Sequence, residues 1–165
     1  MSECQSFDPV ADTDSRLLIL GSMPGVRSLQ MQQYYGHPQN RFWPLVTMLL
    51  GYAEVPLDYA DKKQMLLDNR IALWDVLGYC EREGSLDSDI TCEQPNDLAG
   101  FCRIIRRYIL SAVMAGKAAA AFKKYTRQLD LQRITVHFLP STSPANARWS
   151  LTKLLEAWQV INTDR

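Results

Sequence analysis

Two stretches of this chain gather side chains that stack, hydrogen-bond and hold water. The first is Gly21-Ser22-Met23-Pro24-Gly25, followed by Tyr34-Tyr35-Gly36-His37-Pro38-Gln39-Asn40. The carboxamide of Asn40 donates and accepts at once, so it can position a water or a ligand atom, and it can also cap a helix. Tyr34 and Tyr35 sit among polar residues, where an aromatic face is open to stacking on a flat ring. His37 is either a general acid/base or a loop hydrogen-bonder; no partner is visible along the chain, which favours the second. Gly21 and Gly25 let backbone approach a ligand, and Pro24 stiffens the turn. The loop is not GxGxxG, has no following GK[ST], and gives Ser22 no GxSxG setting, so phosphate-loop and serine-hydrolase chemistry are disfavoured.

The second stretch is Pro140-Ser141-Thr142-Ser143-Pro144-Ala145-Asn146. Three successive hydroxyls ahead of a helix N-terminus suit phosphate contacts, and a rigid capped turn accounts for them equally well. Arg148 and Trp149 add a cation and an aromatic ring beside it. Asp75 closes a short apolar run and either reads a ring N–H or caps a helix, the cap being the simpler role.

The apolar pattern supplies the elements that must position these groups. Leu17–Leu20, Ile71–Val76, Tyr108–Ala115 and Ile134–Leu139 are short apolar runs bounded by turn residues, and they read as buried strands. Helical patterns lie between and after them: from Arg41 to Leu50 after an Asn40 cap, over Asp58–Asn69, from Asn96 or Asp97 to Arg107, from Gly116 to about Leu129, and from about Asn146 to Val160. Residues 78–94 are polar and irregular, with a turn cluster at Gly84–Ser88. Alternation of strand and helix predicts an α/β fold: three layers, α/β/α, around a central four-stranded, mostly parallel sheet. Such sheets bind ligands beyond the carboxyl ends of their strands, which here are the Gly21–Gly25 loop, Asp75, Ala115-Gly116 and the Pro140–Asn146 loop.

At 165 residues, 47% hydrophobic and 22% charged, the chain reads as a single domain over 1–165, with residues 1–15 a loose leader or an edge segment. Cys4, Cys80, Cys92 and Cys102 form no CxxC pair and there are only two histidines, so no metal and no cofactor is expected. No apolar run reaches membrane-spanning length and the N-terminus lacks a secretory pattern, so a cytoplasmic protein without a membrane partner is expected. Net charge is zero, yet residues 1–100 carry 7 Lys/Arg against 15 Asp/Glu and residues 101–165 carry 11 against 3. That gradient can give one face a positive potential; solvated basic helix faces explain it as simply.

Taken in order, the two stretches resemble the signatures of the uracil-DNA glycosylase superfamily: Gly-Ser-Met-Pro-Gly, then Tyr-Tyr-Gly-His-Pro-Gln-Asn-Arg-Phe-Trp, and later Leu-Pro-Ser-Thr-Ser-Pro-Ala-Asn. The resemblance spans roughly Leu17 to Trp158 and is nearest to the hypoxanthine-DNA (deoxyinosine) glycosylase branch. It implies a monofunctional enzyme of base excision repair that hydrolyses the N-glycosidic bond of hypoxanthine or uracil in DNA; separately, a monomer is expected. It also implies roles. Asn40 would place the water, Tyr35 would stack on the flipped base, and Gly21, Ser22, Met23, Pro24 and Gly25 would line the pocket with His37 and Asp75. Pro140, Ser141, Thr142, Ser143, Asn146 and Arg148 would hold the DNA. The chain departs from many members in carrying Ala115-Gly116 in place of Asn-Gly and in having no His in the second loop. A fold-sharing binding module without activity and a small-nucleoside hydrolase stand as rival readings.

Overall fold

Strand C-termini meet on one edge of a parallel sheet in the computed structural model, which describes residues 2–162. In chain order the elements are β1 (Glu3–Gln5), β2 (Leu17–Gly21), α1 (Val26–Met31), α2 (Phe42–Leu49), α3 (Tyr59–Asp68), β3 (Ile71–Asp75), β4 (Leu77–Glu81), β5 (Thr91–Pro95), α4 (Leu98–Ile104), β6 (Leu110–Met114), α5 (Lys117–Tyr125), β7 (Thr135–Leu139) and α6 (Leu151–Trp158). Short 3₁₀ turns occupy Asp87–Asp89 and Gln159–Asn162.

The central sheet has the order β3-β2-β6-β7 and is parallel throughout. Every residue of β2 and of β6 is buried. Side chains alternate across a strand, so burial of all five means that both sheet faces are covered, as the three-layer arrangement requires. Leu18, Ile19 and Leu20 have essentially no exposed surface, and a Leu→Ala change in such a strand costs about 2–5 kcal/mol. The register places Gly21 opposite Asp75 and Leu20 opposite Val113, which sets the first loop, Asp75 and Met114 side by side.

A second sheet, antiparallel with the order β1-β4-β5, lies outside the expected architecture. Residues 78–94, read as irregular, contain the β4–β5 hairpin. Its β5 strand is almost wholly exposed, so no alternating apolar pattern marks it. Residues 2–15 are not a loose leader but an edge segment. They form β1, pairing Cys4 with Cys80, and a bridge from Val10 to Leu73; Cys4, Val10 and Ser15 are buried.

The helices are shorter than their apolar patterns suggest. Asp97 caps α4 by accepting from Gly100 N (2.9 Å), and the helix ends at Ile104. The last helix begins only at Leu151, where Ser150 accepts from Lys153 N (3.2 Å). The hydroxyl run at 141–143 therefore belongs to a folded loop and not to a helix N-terminus, because Pro144, Asn146 and Trp149 sustain turns through the intervening residues. The six-residue α1 is too short to display a hydrophobic period in the sequence.

Candidate active site

Gly21 ends β2 under tight constraint. A Cβ there would lie 2.8 Å from Tyr35 Oη and 2.9 Å from Asp75 Oδ1, so no larger residue fits without displacing both. The loop it opens is tied to β3 and β4, with Val76 N and Leu77 N donating to the carbonyls of Gly21 and Ser22 (2.8 and 3.2 Å).

Tyr35 takes a left-handed backbone conformation, φ +54°, which turns its ring inward. The ring stacks on Phe42 with centroids 4.1 Å apart and planes within 19°. Its hydroxyl sits against Gly21 and points to Met114 Sδ at 3.8 Å. Burial pushes the phenol well above its ordinary range, and the Asp75 carboxyl adds to this, so it remains a neutral donor. Tyr34 differs from its neighbour and from the open-loop expectation: it is buried in the core, its hydroxyl donating to the carbonyls of Phe7 and Asp8 (3.3 and 3.2 Å).

Asn40 is half-buried on the same wall. Its Oδ1 accepts from Phe42 N at 2.9 Å, so it does help begin α2, while a carbonyl oxygen keeps a second lone pair for a water. His37 Nδ1 accepts from Gln39 N at 3.0 Å, which assigns the ring proton to Nε2 in the neutral tautomer.

Asp75, at the end of β3, is 3% exposed and caps no helix, contrary to the simpler reading of it. Its Oδ2 accepts from Ser6 Oγ at 2.8 Å, and its Oδ1 faces Gly21. Burial pushes this carboxyl up to about 7; nearby Asp87 raises it further, whereas Ser6 and the Arg82 guanidinium oppose the rise. Ser6 was unreadable as a site residue because nothing in residues 1–15 announces that β1 carries it to the sheet edge.

The second loop forms the facing wall. Trp158 Nε1 holds the Pro140 carbonyl (3.0 Å), Asn146 Nδ2 holds that of Ser141 (2.9 Å), and Ser141 Oγ accepts from Ser143 N (3.1 Å). Thr142 is fully buried, with its hydroxyl unpaired among the described residues, so it does not present that group outward. Arg148 is exposed and stands outside the cavity lining. The two signature segments are joined by Arg41, whose Nη2 donates to the carbonyls of Ser143 (2.9 Å) and Asn146 (3.1 Å) and whose Nη1 donates to that of Trp149.

Between these walls lies a cavity of about 890 Å³. Gly21–Gly25, Tyr35, His37, Asn40 and Asp75 line one side and Pro140–Asn146 the other. All proposed pocket residues of the first segment thus converge. The β4–β5 turn adds Ser85, Leu86 and Asp87, which sequence reasoning missed; the turn cluster at Gly84–Ser88 between two short β-prone segments was the available signal. Among the described residues no group of three or more His, Cys, Asp or Glu converges to hold a metal ion, and no helix is long and apolar enough to cross a membrane.

The cavity at the strand ends thus brings together an aromatic ring, a carboxamide and a buried carboxyl. A sequence model of the uracil DNA glycosylase superfamily matches residues 8–162, and the chain belongs to that superfamily. It is a DNA glycosylase by that membership. A protein of Methanosarcina acetivorans named hypoxanthine DNA glycosylase is 36% identical over 95% of this chain and 96% of its own length. Its namesake from Methanosarcina barkeri is 33% identical over 93% and 94%. The solution NMR structure of a candidate uracil DNA glycosylase from Methanosarcina acetivorans superposes with a TM-score of 0.81 at 34% identity, covering 98% of this chain and 99% of that one.

Proposed function

We propose that the enzyme releases hypoxanthine from DNA by hydrolysis, with Asn40 as the water-positioning group. The observation that carries this reading is the placement of Asn40, Tyr35 and Asp75 around one cavity large enough for a base and its sugar. The naming of two relatives as hypoxanthine DNA glycosylases supports the choice of base.

The target nucleotide leaves the helix, at about a few kcal/mol, and least for a base that pairs poorly. Tyr35 stacks on it with the face opposite Phe42. As the bond between C1′ and the base nitrogen breaks, the sugar takes on oxocarbenium character, and the electron pair goes to the base. The free lone pair of Asn40 Oδ1 orients a water whose oxygen bonds to C1′; the water's proton ends on solvent or on the departing base. Asp75, held protonated near neutrality by burial, donates a hydrogen bond to the base and so stabilises the charge it gains. Ser141, Ser143, Asn146 and Arg148 face the phosphates.

The test is a panel of duplex oligonucleotides containing hypoxanthine, uracil or neither, scored for alkali-labile sites. Cleavage at hypoxanthine is the expected result. Binding without cleavage of any member would instead favour a module that has kept the fold and lost the chemistry.

A further inference from the structure

Three side chains of the β4–β5 hairpin also grip the first loop. Arg82 Nη2 donates to the Pro24 carbonyl at 2.5 Å, Ser85 Oγ accepts from Val26 N at 2.8 Å, and Asp87 Oδ1 accepts from Ser22 Oγ at 2.8 Å. The third contact has a chemical consequence. A serine hydroxyl has one proton and two lone pairs, and its rotor is ordinarily free to present either. Here the proton is committed to Asp87, so toward the cavity Ser22 can only accept.

Deamination changes a base in a way such a group can read. In adenine the ring N1 is a bare acceptor, and in hypoxanthine it carries hydrogen; cytosine and uracil differ in the same way at N3. An acceptor facing that ring position pairs with the deaminated base and meets lone pair against lone pair in the parent. Sites built around a hydrogen bond reject analogues that cannot make it far better than sites built on shape.

We propose that Asp87 is a positioning residue for base selection: by holding the Ser22 proton it turns Ser22 into an obligate acceptor that admits the N–H of a deaminated base and rejects the parent. This rests on the reading of the cavity as the base pocket. The surroundings favour the arrangement. Ser22 is 9% exposed, so water competes little for its hydroxyl. Behind the loop Arg82 is fully buried, and its Nε and Nη1 have no hydrogen-bond partner among the described residues. Burial pushes the Asp87 carboxyl above its ordinary range, while the Ser22 hydrogen bond and then the Arg82 charge oppose that rise. Asp87 lies in an exposed turn with its carboxyl turned in against Ser22, so truncating it leaves the core untouched.

The experiment compares single-turnover release of hypoxanthine with release of unsubstituted purine, whose N1 is a bare acceptor as in adenine, from otherwise identical duplexes. Wild type is expected to favour hypoxanthine. Asp87→Ala frees the Ser22 proton and lowers that preference by about ten-fold or more. Asp87→Asn, whose Oδ1 can still accept from Ser22, retains most of it. Ser22→Ala lowers the preference as well, and the double variant loses no more than either single one, because the two act as a unit. Equal losses on both substrates, with the preference unchanged in Asp87→Ala, would overturn the proposal and leave Asp87 a structural contact. Preference losses that add in the double variant would overturn it too. A wild-type enzyme that releases no hypoxanthine contradicts the underlying reading of the pocket and the inference with it.

Discussion

Arg41 Nη2 donates to the carbonyl of Asn146 at 3.1 Å across 105 residues of chain, and so joins the two walls of the cavity. Asn40, its neighbour, therefore has its backbone fixed relative to the second loop. Three carbonyls converge on one guanidinium, a geometry that a lysine ammonium reproduces poorly.

Arg41→Lys is expected to cost about 2 kcal/mol of stability, the scale of hydrogen bonds to a charged donor, and to lower the cleavage rate more than the affinity for DNA. Thermal melts and single-turnover rates measure the two effects. A variant that melts and cleaves like wild type contradicts the clamp.

Gly21→Ala places a methyl against Tyr35 Oη and Asp75 Oδ1, both under 3.0 Å away. Displacement of either disturbs stacking or the buried carboxyl, and a loss of activity of at least ten-fold is expected while the far-ultraviolet spectrum is preserved. Activity at the wild-type level means that the cavity tolerates a rearrangement the geometry forbids.

Asp75 carries a pH signature. Its folded pKa is raised from 3.8 to about 7, so between those values the folded chain holds a proton that the unfolded chain has lost. The folded state then binds more protons, and this residue's contribution to stability falls as pH rises through the window and is least favourable above pH 7. Asp75→Asn removes the effect, and its stability relative to wild type should rise from pH 5 to pH 8 by on the order of a few kcal/mol. Cleavage by wild type should decline above about pH 7 as the donor is lost, and the variant should flatten that decline. A wild-type rate that climbs through neutrality would mean that the ionised form acts.

Arg148 is exposed beside the second loop, in the basic half of the chain. If it contacts a phosphate, Arg148→Ala weakens duplex binding similarly for hypoxanthine-containing and normal DNA. It also reduces the slope of log affinity against log salt by about one. An unchanged slope removes Arg148 from the interface.

The parallel sheet was legible because its strands are short, mostly apolar runs that stop at or just before Gly, Pro or Asp; the first loop and Asp75 follow from where those strands end, and the roles of Tyr35 and Asn40 from the resemblance. The antiparallel sheet was not. β5 buries almost nothing, so its sequence carries no hydrophobic period, and β1 is three residues long. With that sheet went three site contributions: Ser6 on Asp75, Arg82 beneath Pro24, and Asp87 on Ser22. Tyr34 misled for a related reason. Adjacent tyrosines in a polar stretch look alike, and only the left-handed turn at Tyr35 sends one ring to the cavity and the other to the core.

In the proposed reaction Asn40 places the water that attacks the sugar. The measurement that tests this role most directly is single-turnover release of hypoxanthine from duplex DNA by wild type and Asn40→Ala, with duplex affinity measured in parallel. Release is expected to fall by about a hundred-fold or more, the scale of losing a preorganised catalytic group, while affinity stays within a few-fold. Release at the wild-type rate would contradict that role.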